Sequence, residues 1–314
     1  MSFISIAALP GNNGYWLLNN TGEVYSHGGA GYHGGGAGLD YHGLFVSLVG
    51  TPTGNGYWLC DSAGEVFSFG DAVYHGGASM TPHSGEFVAM AATVTGKGYW
   101  LLDSAGEVFS FGDAVYHGGA STQSHTGSFM AMAMTHTGNG YWLLDSAGEV
   151  FSFGDAAQHY HGNAPDTATG SFVGMAGTLD LGGYWLFDST GQIYALGNAT
   201  YHGGGGTGYA GRFVSIAPTT TGGGYWLLDS AGQVYTGGDA TYYGNTGVPE
   251  GCSNGLDKDQ DVSGYATCIA GLNYKFVGRY LGGSDTCFQS TVLSQAEALA
   301  ITEAGLFVLS EGVS

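Results

Sequence analysis

Short apolar runs separated by Gly-, Thr- and Asn-rich turns recur along the chain, and the clearest copy is Gly98 to Ala120, GYWLLDSAGEVFSFGDAVYHGGA. Each copy opens on a run such as Phe87-Val88-Ala89-Met90-Ala91, whose large residues alternate with small ones. It continues, after a turn, into Tyr99-Trp100-Leu101-Leu102. That second run is apolar on both alternating faces, which predicts a strand covered on both sides. In Asp103-Ser104-Ala105-Gly106 the Asp bonds its own turn backbone and the Gly supplies a positive φ, so the run into Glu107-Val108-Phe109-Ser110-Phe111 predicts a hairpin. A shorter Val115-Tyr116-His117 segment then ends in Gly118-Gly119 and reads as a fourth strand.

The period is set by Trp16, Trp58, Trp100, Trp142, Trp185 and Trp226, spaced 42, 42, 42, 43 and 41 residues, with no other Trp in the chain. Six copies of about 42 residues, each of four short strands, predict an all-β fold, a six-bladed β-propeller over residues 1–248. The opening runs, headed by Phe3, Phe45, Phe87, Phe129, Phe172 and Phe213, carry small residues suited to the crowded strand nearest an axis. A linear β-solenoid is the competing architecture, since a period alone does not show closure. The ring is favoured by the long period and the doubly apolar Trp strand. On that reading the Phe3 strand completes the blade of repeat 6.

Composition narrows the function. Five Lys and Arg face 25 Asp and Glu, a formal charge of -20, which excludes nucleic acid as a partner held by phosphate contacts. No apolar run approaches the ~20 residues of a membrane span, so membrane insertion is not expected. The N-terminus, MSFISIAALPGNNGYW, lacks the basic start of a signal peptide, and its apolar run belongs to the first repeat. An extracellular protein of this kind is expected to travel by another route, such as within a virion.

The candidate ligand sites are the Tyr-His-Gly segments: Tyr32-His33, Tyr74-His75, Tyr116-His117, Tyr160-His161 and Tyr201-His202, with Tyr242-Tyr243 in the sixth repeat. Aromatic faces stack on sugar rings while imidazoles bond hydroxyls, which would give a ring of equivalent shallow sites. The competing reading has each His bonding backbone between blades. Asp71, Asp113, Asp155 and Asp239 either line a rim that binds cations or cap turns, and the turn role is favoured. Cys60 stands where other repeats have an aliphatic or aromatic residue and is expected to pack as a small hydrophobe; Cys252, Cys268 and Cys287 show no zinc spacing and leave a disulfide open. Neither a metal nor a cofactor is expected.

The repeats resemble the GYW…FGDA…G repeats of secreted actinobacterial proteins and some of their phages, which often stand beside cell-wall-acting domains. The resemblance spans roughly residues 3 to 247 and implies nothing about a ligand. From residue 249 to 314 the pattern changes to strand, helix, strand: Lys275 to Leu281, a helix from Ser294 to Ala304, and Leu306 to Glu311. With Gly255-Leu256-Asp257, this stretch resembles the start of a glycoside-hydrolase-like (β/α)8 barrel of cell-wall-associated proteins. A full barrel takes roughly 250 residues, so the segment is an incomplete one. The resemblance places Asp257 and Glu311 at the C-terminal ends of the first and third barrel strands, where an acid and base of glycoside hydrolysis would sit. With so little of the barrel, catalysis by this chain is not expected. The function expected is a binding module for bacterial cell-envelope polysaccharide, extracellular or in a virion beside other tail proteins. The alternative is a structural component of a phage tail with no glycan site of its own.

Overall fold

The computed structural model describes residues 2–168, 170–204 and 211–246, and the backbone of residues 276–278 and 307–309. The chain divides into two units, Met1–Gly244 and Asn245–Ser314.

The first unit is all-β, and each repeat forms one three-stranded antiparallel sheet. In chain order the sheets are β1 (Phe3–Ala8), β2 (Gly14–Asn19) and β3 (Val24–Gly28); β4 (Phe45–Gly50), β5 (Gly56–Asp61) and β6 (Val66–Gly70); β7 (Phe87–Ala92), β8 (Gly98–Asp103) and β9 (Val108–Gly112). Then follow β10 (Phe129–Met134), β11 (Gly140–Asp145) and β12 (Val150–Gly154); β13 (Phe172–Gly177), β14 (Gly183–Asp188) and β15 (Ile193–Gly197); β16 (Phe213–Pro218), β17 (Gly224–Asp229) and β18 (Val234–Gly238). The middle strand carries the Trp and is buried along its whole length in every sheet. Registers are equivalent: Phe87 pairs with Asp103 and Ala92 with Tyr99, with a bulge between Phe87 and Ala89 that recurs in each repeat.

The expected fourth strand does not form. Val115 to His117 is irregular, and among the described residues the only regular structure in any such loop is a 3₁₀ turn at Asp155–His159 in repeat 4. The reason lies in the partners its backbone takes. The Val115 carbonyl accepts from the Trp100 indole, and the His117 N–H and Gly118 carbonyl are held by Tyr141, so these groups are not free for a ladder. Nor does the Phe3 strand complete the last sheet: β1 pairs with β2 inside its own repeat.

The core lies between sheets. Trp100, Leu102 and Val108 of repeat 3 pack with Phe129, Met132, Tyr141 and Leu143 of repeat 4, while Tyr99 and Leu101 turn the other way, onto Trp58 and Cys60 of repeat 2. Alternation along one strand therefore serves two neighbours, which is why both faces must be apolar. The same cluster recurs between repeats 6 and 1, where Trp226, Leu228 and Val234 meet Phe3, Tyr15 and Leu17. One backbone bond repeats in the same way. The N–H of Phe87 donates to the Ser62 carbonyl at 3.0 Å, and that of Phe3 to Ser230 at 3.0 Å. The opening strands of all six sheets line one cavity of about 570 Å³.

In the second unit, β19 (Phe276–Gly278) and β20 (Phe307–Leu309) pair in parallel, Val277 opposite Val308. The parallel order of these two strands is the one expected for adjacent barrel strands. The expected helix at Ser294–Ala304, and Leu256, lie outside the described residues.

Candidate functional site

The loop after each third strand is fixed by three hydrogen bonds from two side chains. In repeat 3 the Trp100 Nε1–H donates to the Val115 carbonyl at 2.8 Å. The Tyr141 hydroxyl of the next repeat accepts from the His117 N–H at 3.1 Å and donates to the Gly118 carbonyl at 2.6 Å. The pattern holds for Tyr57, Tyr99, Tyr184 and Tyr225 on the loops before them, and for Tyr15 on Tyr243 and Gly244. Burial pushes the Tyr99 and Tyr141 phenols up to about 12, so the hydroxyls stay protonated donors at neutral pH.

Neighbouring residues of the Tyr-His-Gly segment then part. The imidazole of His117 lies against the Tyr141 ring, centroids 5.8 Å apart, and the same contact holds for His33, His75, His161 and His202. The Nε2 atoms of His33, His75, His117 and His202 are enclosed and make no hydrogen bond among the described residues, whereas His161 Nε2 lies 2.9 Å from the Leu181 carbonyl. In repeat 6, Tyr243 takes the imidazole's place against Tyr15 and donates to the Asn12 carbonyl at 2.6 Å. These side chains fill seams between repeats. Their neighbours point outward: Tyr32, Tyr74, Tyr116, Tyr160, Tyr201 and Tyr242 are 65, 59, 60, 49, 54 and 50 % exposed. Val73 and Val115 stand exposed beside two of them, widening the apolar patch. Any ligand approaching one of these loops from solvent would thus meet the tyrosine, while the imidazole is covered.

The acidic groups have structural partners. Asp113 accepts from the Thr93 and Thr95 hydroxyls at 2.8 and 2.5 Å, and Asp71 and Asp239 are clasped by Thr51 and Thr53 and by Thr219 and Thr221. Asp155 is held by Thr137 alone, its Oδ1 buried without a hydrogen bond. Partial burial pushes the Asp113 carboxyl up, but the Thr95 and Thr93 hydroxyls outweigh it and hold it below the usual range. The Asp of the Asp-Ser-Ala-Gly turn is buried: Asp103 Oδ1 accepts from the N–H groups of Ala105 and Glu107, and Oδ2 from that of Gly85. Asn19 fills that position in repeat 1 and accepts from the equivalent N–H groups of Thr21 and Glu23. Among the described residues no group of three or more His, Cys, Asp and Glu gathers as a metal site. Cys60 is buried and free, its thiol pushed up by desolvation. Asp257, Glu311, Cys252, Cys268 and Cys287 lie outside the described residues.

The residue that composition and pattern did not single out is the Tyr before each Trp. Its signal was present: a hydroxyl in an otherwise apolar, doubly covered strand must find a buried partner. No family model matches the chain, and no curated protein is significantly similar to it. No helix among the described residues is long and apolar enough to cross a membrane.

Proposed function

We propose that the six repeats form a closed six-bladed β-propeller that acts as a multivalent attachment module for neutral polysaccharide of a bacterial cell envelope, extracellular or carried in a virion. Closure is supported by the six inter-sheet clusters found for six sheets, where an open row would have five. The observation that carries the binding reading is the set of six half- to two-thirds-exposed tyrosines, one in each pinned loop. A loop held by three long-range hydrogen bonds presents its ring at little entropic cost on binding, and several weak sites on one body give avidity. The likeness to actinobacterial and phage repeats that often stand beside cell-wall-acting domains favours a setting at the cell envelope, without indicating a ligand. The parallel pair β19 and β20 favours a (β/α)-barrel-like arrangement for the second unit, in which Asp257 and Glu311 would be the acid-base pair.

The enclosed imidazoles favour a second reading, a structural part of a phage tail in which the Tyr-His-Gly segment serves assembly alone. Sedimentation with purified cell walls separates the two. Stacking and hydroxyl contacts predict retention that falls little with salt. Replacing Tyr32, Tyr74, Tyr116, Tyr160, Tyr201 and Tyr242 with Ala should abolish retention while lowering the melting temperature by no more than about 12 °C, so that the variant stays folded at the assay temperature. Undiminished retention by that variant, or loss of wild-type retention at moderate salt, would remove the glycan reading.

A further inference from the structure

The cavity enclosed by the six opening strands is unlike the outer surface. At one level it is ringed by Ile4, Val46, Val88, Met130, Val173 and Val214, half-buried and contributed one from each sheet. The next residue along each strand is small, Ala131 and Gly174 among them, so the space widens behind the apolar ring. Its volume of about 570 Å³ falls in the range of small-molecule sites, roughly 300–1,000 Å³. Arg212 lines the cavity together with Ser2 and Ser230. Only Lys97 and Arg212 among the described residues are cations, in a chain of formal charge -20. The Arg212 backbone N–H donates to the Ser230 hydroxyl at 3.1 Å, but its guanidinium has no carboxylate partner among the described residues. Among the described residues, this acidic chain leaves one guanidinium without a carboxylate beside a cavity that carries an apolar ring and several serines, an arrangement that can receive an amphiphilic anion from outside.

We propose that this cavity binds a single-chain aliphatic carboxylate, with its hydrocarbon chain inside the ring of opening strands and its carboxylate on Arg212. The apolar ring within the lining rewards chain length, because each methylene removed from water tightens binding by up to about fourfold when fully buried. The guanidinium rewards the head group. It does so against the net charge of the molecule, which repels anions at long range. Nothing in this proposal depends on the glycan reading, since it concerns other residues and is measured without cell walls.

The test is calorimetric titration of the full chain with octanoate, decanoate and dodecanoate below their micellar concentrations, and with decanol and decylammonium. One site is expected, with affinity rising several-fold per methylene and decanoate bound more tightly than decylammonium despite the acidic surface. Arg212→Gln should weaken decanoate about tenfold, leave decanol unchanged and keep the wild-type melting temperature, because the exposed side chain makes no hydrogen bond or ion pair among the described residues. Val88→Trp, which narrows the lining, should weaken all three acids. Absence of decanoate binding at millimolar concentration, no dependence on chain length, tighter binding of decylammonium, or full decanoate affinity in Arg212→Gln would each overturn the proposal.

Discussion

The hydroxyl of Tyr15 lies 2.5 Å from the carbonyl oxygen of Gly244, 229 residues away, and the N–H of Tyr243 donates back to the same hydroxyl at 3.1 Å. Tyr141 makes the equivalent pair of bonds to Gly118 and His117 between adjacent repeats. If the two seams are equal in solution, Tyr15→Phe and Tyr141→Phe should cost the same, about 1–3 kcal/mol for stranding buried backbone groups. Chemical denaturation of both variants measures this. A Tyr15→Phe variant as stable as wild type, beside a weakened Tyr141→Phe, would mean that the ends of the repeat array part in solution.

Deleting residues 1–8 probes the same seam more severely. It removes β1, the first strand of its own sheet and the source of Phe3 and Ile6 in the cluster shared with Trp226 and Leu228. Loss of one buried Phe alone costs about 3–5 kcal/mol. The melting temperature should therefore drop by 10 °C or more, at roughly 2–4 °C per kcal/mol for a body of this size. A melt within about 2 °C of wild type would show that β1 contributes nothing to the unit.

Tyr116 and His117 should separate on substitution. The Tyr116 ring is 60 % exposed, so Tyr116→Ala is expected to change stability by no more than about 0.5 kcal/mol. His117 packs on Tyr141 with Nε2 enclosed, and His117→Ala leaves a void in the seam that should cost about 1–3 kcal/mol. Equal effects from the two, read by urea unfolding, would contradict the division of the segment into an outward face and a seam.

That division shows where the sequence stops being informative. The period, the doubly buried Tyr99-Trp100-Leu101-Leu102 strand and the Asp103 turn were legible because each is set by contacts within a few residues or by alternation of side chains. The expected fourth strand fails for the same reason. Val115-Tyr116-His117 has strand-forming residues, but its backbone is captured by Trp100, 15 residues back, and Tyr141, 24 residues ahead. Local pattern carries no trace of such a partner. Whether a Tyr or its neighbouring His faces water follows from that capture, so the candidate site could be located by sequence and its two halves could not be told apart.

The clasp on Asp239 offers a test by pH and by exchange of partners. Hydrogen bonds from Thr221 and then Thr219, with His202 nearby, hold the Asp239 carboxyl below the ordinary carboxylate range against a smaller opposing effect of burial. A carboxyl depressed in the folded state stabilises it above the unfolded pKa of about 3.9, and the gain is lost as pH falls through the folded value. Asp239→Asn should therefore melt below wild type at pH 7, by no more than about 3 °C for so exposed a group, and the gap should close below about pH 4. Asp166→Asn, which removes the same charge from an exposed loop, controls for net charge and should show no such gap. Repeat 5 supplies the remedy: there Asn198 Nδ2 donates to Asp180 at 2.6 Å, with donor and acceptor exchanged relative to Thr221 and Asp239. Adding Thr221→Asp to Asp239→Asn recreates that pair and should restore most of the loss at pH 7. A double variant that melts lower than Asp239→Asn alone would show that the clasp depends on surroundings particular to its repeat.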